Sequence, residues 1–99
     1  MTRPYAAVFA ARSNLRAQRL GVPGHLQANE VAQIGGPCAY CGTWIRIGWD
    51  HADPMGRGGP NIIANLVPCC LPCNQRKGIR TASEFGFCVD PLWYQPEAF

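Results

Sequence analysis

Residues 38–78 read CAYCGTWIRIGWDHADPMGRGGPNIIANLVPCCLPCNQRKG. Two Cys-x-x-Cys pairs, Cys38/Cys41 and Cys70/Cys73, bracket a segment that holds Asp50-His51, Gly58-Gly59-Pro60 and Asn65, and Asn74 follows the last cysteine. Thiolates spaced this way grip one face of a metal, because the turn between them aims both sulfurs inward. Two such pairs close a tetrahedral four-thiolate zinc site with Zn–S bonds of about 2.3 Å. A site with no open position contributes folding energy and no catalysis. Cys69 precedes Cys70 directly, but Cys70 and Cys73 repeat the knuckle spacing of the first pair. Cys70 is therefore assigned as the ligand and Cys69 as a bystander. Cys88 reads as a small buried hydrophobe, with a Cys69–Cys88 disulfide as the open alternative.

Local patterning around the cysteines predicts short elements. Trp44 to Trp49 is rich in aromatic and β-branched residues and reads as a strand leading into Asp50. The Gly- and Pro-rich stretch from Pro54 to Asn61 turns the chain back, and residues 62–67 form a second short strand. Leu71 to Lys77 reads as a helix, with Pro72 in its first turn and Gly78 past its end. Thr81-Ala82-Ser83-Glu84 has the form of a capping box and predicts another short helix.

Upstream, residues 5–19 read as a helix. Arg12, Arg16 and Arg19 form one basic stripe on it, with Val8, Ala11 and Leu15 on another face. Residues 27–34 form a second short helix with Val31 and Ile34 inward, ended by Gly35-Gly36-Pro37. The 99 residues fit one domain or a small domain with an N-terminal arm. Three spans follow: a basic helical arm at 1–36, a core at 37–80, and a short helix with an aromatic tail at 81–99. The net charge of +3 is uneven, since residues 1–29 carry Arg3, Arg12, Arg16 and Arg19 and no Asp or Glu. This is compatible with a polyanion partner, which charge alone does not establish. No stretch approaches transmembrane length and no signal peptide is visible, so the expectation is an intracellular, cytoplasmic chain that is not secreted and has no membrane partner.

Together Cys38, Cys41, Asp50-His51, Pro54, Gly58-Gly59, Asn65-Leu66, Cys70, Cys73-Asn74 and Lys77-Gly78 resemble an HNH endonuclease. The chain is similar to the small free-standing, zinc-stapled members found in prokaryotes and their phages. The resemblance covers about residues 38–78 and implies a small α+β fold. Its centre would be a ββα-metal core of the HNH, or His-Me finger, type, stapled by the four-cysteine zinc site and preceded by N-terminal helices.

Hydrolysis of a phosphodiester needs a base to activate water, a cation to offset developing charge, and stabilisation of the leaving oxygen. His51, with an ordinary pKa of about 6.5, suits the base. Asp50 and Asn74 offer hard oxygens that favour Mg2+ or Mn2+. The resemblance implies these same roles: His51 the base, Asp50 and Asn74 the ligands of Mg2+ or Mn2+, and Asn65 the asparagine that braces the loop and helps orient the histidine. The final motif position is Asn74 where histidine is usual, an H-N-N variant. Arg76 and Lys77 are placed to contact phosphates, as are Arg57 and the stripe of Arg12, Arg16 and Arg19. The implied activity is cleavage of double-stranded DNA, by nicking and with low sequence specificity, leaving 5′-phosphate and 3′-hydroxyl ends. A homodimer or a larger DNA-processing complex remains open. So does a non-catalytic zinc-stapled nucleic-acid-binding or assembly module.

Overall fold

The computed structural model describes residues 4–86, so Cys88 and the aromatic tail lie outside the described residues. Helix α1 spans Pro4–Leu20 and helix α2 spans Ala28–Ala32. Strand β1, Ile47–His51, pairs antiparallel with β2, Leu66–Cys70, and β2 runs directly into helix α3, Leu71–Lys77. Short 3-10 turns at Met55–Arg57 and Ile63–Asn65 lie between the strands. This is the expected small α+β fold with a ββα core.

Helix α1 starts at Pro4, whose missing N–H costs nothing in a first turn, and Gly21 follows its end at φ 72°. Its buried stripe is Ala6, Ala10, Ser13 and Ala17, whereas Val8, Leu15 and all three arginines of the basic stripe are exposed. Small residues let the helix backbone lie close against its neighbours. Ala6 and Ala10 join Leu26, Val31 and Leu66 in one apolar cluster, so the arm shares a core with β2. A second cluster surrounds the cysteines: Cys38, Tyr40, Ala52, Cys69, Cys70, Cys73 and Ala82.

Both strands sit about three residues later than their composition suggests. The knuckle at 38–43 closes on itself, with Cys38 N–H donating to the Thr43 carbonyl and Gly42 at φ 81°. Arg46 then adopts φ 58°, which lifts Trp44 and Ile45 away from the sheet and into solvent. Pairing begins only at Ile47, opposite Cys70. The second strand is displaced because the chain from Ile63 to Asn65 forms a 3-10 turn, closed by Asn65 N–H donating to the Ile62 carbonyl, instead of extending. The capping box forms both of its reciprocal bonds: Glu84 N–H donates to Thr81 Oγ1 and Thr81 N–H to Glu84 Oε1. No helix follows among the described residues. Glu84 Oε1 is shared with Arg57, and Gly86 turns left-handed at φ 99°.

The link between the strands is closed by Gly59. A Cβ there would lie 1.9 Å from the Asp53 carbonyl oxygen, a backbone atom that cannot swing aside. Gly59→Ala should therefore destabilise the fold by about 3 kcal/mol, the upper range for overpacking, as read by denaturant unfolding. A loss below about 1 kcal/mol would show that the loop is not held this tightly.

Candidate active site and metal centre

The ligand sulfurs of Cys38, Cys41, Cys70 and Cys73 all lie within 4.8 Å of one another. Cys41 Sγ and Cys70 Sγ are 3.7 Å apart, close to the roughly 3.8 Å edge of a tetrahedron with 2.3 Å Zn–S bonds. Backbone amides already face the sulfurs. Tyr40 N–H points at Cys38 Sγ, and Cys73 N–H at Cys70 Sγ, which thereby caps the start of α3. Cys38 falls to about 6, because the amides facing its sulfur outweigh burial, which pushes it up. Burial pushes Cys73 up to about 12. The donor set suits a soft, divalent cation, and zinc fits it. Cys69 stays outside: it is buried, its thiol is pushed up by that burial, and it donates to the Cys70 carbonyl.

Successive residues of a strand face opposite ways, and β1 uses this to separate Asp50 from His51. Asp50 Oδ2 accepts from the Tyr40 hydroxyl at 2.7 Å and lies 3.1 Å from Lys77 Nζ. Burial and the Asp50 charge push the Tyr40 phenol up, so it keeps its proton and donates. His51 turns the other way. Its ring stacks on Phe9 of α1, and its Nε2 lies 2.8 Å from Asn61 Oδ1. Burial lowers the pKa of His51, while the Asn61 bond and Asp50 act against it.

Asn65 is fully buried and braces the loop between the strands. Its Oδ1 accepts from Asp53 N–H, and its Nδ2 donates to the carbonyls of Asp53 and Pro60. Its own carbonyl accepts from Ala52 N–H, directly after the histidine.

Asp50, His51 and Asn74 line one open cleft of about 1320 Å3, with Arg12 and Arg16 of α1 and Arg46 along its walls. The helical arm thus brings two of its three stripe arginines to the residues expected to do chemistry, and Arg19 does not line that cleft. Arg57 is exposed and paired with Glu84. Arg76 is exposed too, with Nη2 3.3 Å from Cys73 Sγ.

Lys77 overturns its expectation. It is 1% exposed and donates to the His51 carbonyl as well as facing Asp50, so it cannot reach a phosphate. Its charge neutralises Asp50 from the protein interior instead.

Four residues of the site escaped the sequence reading: Tyr40, Asn61, Asn14 and Phe9. Tyr40 carried a signal, since it lies inside the first knuckle. The others gave none, because asparagines between elements read as turn residues and Phe9 as part of an amphipathic helix.

Residues 38–80 match the family model described as HNH endonuclease. The matched segment holds both cysteine pairs, both strands, the bracing asparagine and α3. This supports the resemblance read from the sequence and points to nuclease chemistry on a nucleic acid. No curated protein matches the chain. Among the described residues no helix is long and apolar enough to cross a membrane.

Proposed function

We propose that this chain is a metal-dependent DNA endonuclease that nicks with low sequence specificity and leaves 5′-phosphate and 3′-hydroxyl ends. The observation that carries this reading is the cleft itself. His51, Asp50 and Asn74 all line it, together with Arg12 and Arg16 from helix α1, and this supports the reading.

In this reading His51 takes the proton from the attacking water. Its ring is held on one side by Phe9 and at Nε2 by Asn61, so it needs little reorganisation. Arg12 and Arg16 draw the phosphate backbone in and hold it, which makes binding sensitive to salt. Asn65 keeps the loop closed behind the histidine. Asp50 and Asn74 would hold Mg2+ or Mn2+; among the described residues Tyr40 and Lys77 meet Asp50 at Oδ2. The bound ion would supply Lewis-acid stabilisation of the charge developing on the phosphate. One such site cuts one strand, so a double-strand break needs a homodimer, a second encounter or a larger complex.

The test is cleavage of supercoiled plasmid by the zinc-loaded protein, with Mg2+, Mn2+ or additional Zn2+ titrated in. The expected result is nicked circles ahead of linear DNA with Mg2+ or Mn2+, and weak activity with added Zn2+. Parallel single-stranded DNA and RNA define the substrate class. Binding without cleavage under every metal would establish the non-catalytic module in its place.

A further inference from the structure

The hydrogen bonds that end on His51 start in helix α1, and each step has only one possible direction. Leu26 N–H can only donate, so the Asn14 atom 2.7 Å from it is Oδ1. Asn14 Nδ2 donates in turn to the Leu26 carbonyl at 3.0 Å, which fixes that amide at both ends. Asn14 Oδ1 can only accept, so the Asn61 atom 2.8 Å from it is the donor Nδ2. That leaves Asn61 Oδ1 towards the imidazole, 2.8 Å from Nε2, where it too can only accept. The ring hydrogen must therefore sit on Nε2, and a neutral ring then carries its lone pair on Nδ1. Nδ1 has no hydrogen-bond partner among the described residues, and His51 lines the cleft.

The surroundings hold this chain of bonds in place. Asn61 is fully buried, and its N–H donates to the Pro23 carbonyl at 2.8 Å. A Cβ on Gly24 would lie 2.3 Å from the Asn61 carbonyl oxygen, so the segment after α1 packs directly on this residue. Gly24 also stands at φ 110°, open to glycine at little cost.

We propose that Asn14 and Asn61 are positioning residues that set the tautomer of His51, so that the backbone at Leu26 dictates which ring nitrogen is free to take a proton. Asn14 lies outside residues 38–80, so the segment that matches the family does not contain its own tautomer control. The N-terminal arm is then a part of the catalytic apparatus and more than an electrostatic grip. This inference rests on His51 being the base, but the tautomer is a property of the ring that can be read without any activity.

The experiment is long-range 1H–15N NMR of the imidazole in the full, zinc-loaded chain, at a pH where the ring is neutral, together with kcat and KM for nicking. The wild-type ring should show the Nε2–H tautomer alone. Asn61→Leu faces Nε2 with an apolar group, so the hydrogen should move to Nδ1. There kcat should fall about tenfold to hundredfold, with KM changed less than about twofold. Asn61→Asp keeps an acceptor towards Nε2 and should recover the Nε2–H tautomer; it offers Asn14 Oδ1 no donor, so the tautomer and not kcat is its readout. Asn14→Leu releases the Asn61 amide to rotate, and a second, Nδ1–H population should appear. If Asn61→Leu does not fold, Asn14→Leu at its half-buried position decides in its place.

An Nδ1–H ring in the wild type, or an unchanged Nε2–H ring in the leucine variants, would overturn the relay. A ring that switches tautomer while kcat stays constant would uphold the relay and overturn the assignment of His51 as the base.

Discussion

Alanine at position 51 should lower plasmid nicking by about 10²- to 10⁴-fold, the range for removing a general base, while zinc content stays at the wild-type level. The two effects separate because His51 belongs to neither of the buried apolar clusters and makes no contact with the ligand sulfurs. The substitution still leaves Asn61 Oδ1 without its partner in a buried place, at about 1–3 kcal/mol of stability. Activity must therefore be compared at a temperature where both proteins are folded. The pH profile supplies a second signature. Burial holds the folded ring below the ordinary 6.5, and the base works only when neutral, so the rate should rise with pH and reach half its plateau below 6.5. Stability follows the same group. An unfolded chain binds this proton at about 6.5 and the folded chain does not, so stability should fall as pH drops from about 6.5 towards the lower folded value. His51→Ala should remove that limb from both profiles. Equal nicking by wild type and variant would end the enzymatic reading.

The sequence exposed the site unevenly, and the reason lies in what a one-dimensional pattern encodes. Helix α3 was legible because Pro72 and Gly78 act locally, within a single turn of chain. The four-cysteine centre was legible because its spacing is itself the geometry. Strand boundaries were not: Trp44 and Ile45 have strong strand propensity, but the left-handed turn at Arg46 decides where pairing begins. Lys77 has the same spacing from Asn74 whether it faces a phosphate or the interior, so burial alone exposes its partnership with Asp50. The bond from Asn61 to Asn14 joins residues 47 apart in the chain, beyond any local pattern. The motif residues and the brace at Asn65 could be read, and the bonds that reach His51 through Asn61 and Asn14 could not.

Serine in place of Cys41 should release zinc and abolish both the folded core and the activity. Cys41 is the exposed ligand, so the substitution itself crowds nothing; the only loss is a thiolate. The three sulfurs left behind are buried, and without a cation burial opposes the ionisation of two of them, Cys70 and Cys73, the latter pushed up to about 12. Structural zinc contributes about 10–16 kcal/mol of apparent folding energy in small metal-dependent domains, against a typical total stability of about 5–15 kcal/mol. A two-stranded sheet does not stand alone in water, and here α3 starts from Cys70, one of the four clustered cysteines. The four-cysteine centre also reaches the candidate active site through Tyr40. Tyr40 lies between Cys38 and Cys41, and its hydroxyl donates to Asp50 Oδ2 at 2.7 Å. A knuckle that opens thus withdraws one of the two groups holding that carboxylate, so activity should fail before or together with the fold. Zinc content, thermal unfolding and Mg2+-dependent nicking measured on Cys41→Ser, and on wild type treated with a chelator, test this directly. A zinc-free chain that stays folded and cuts DNA would show that the four sulfurs do not hold the cleft together.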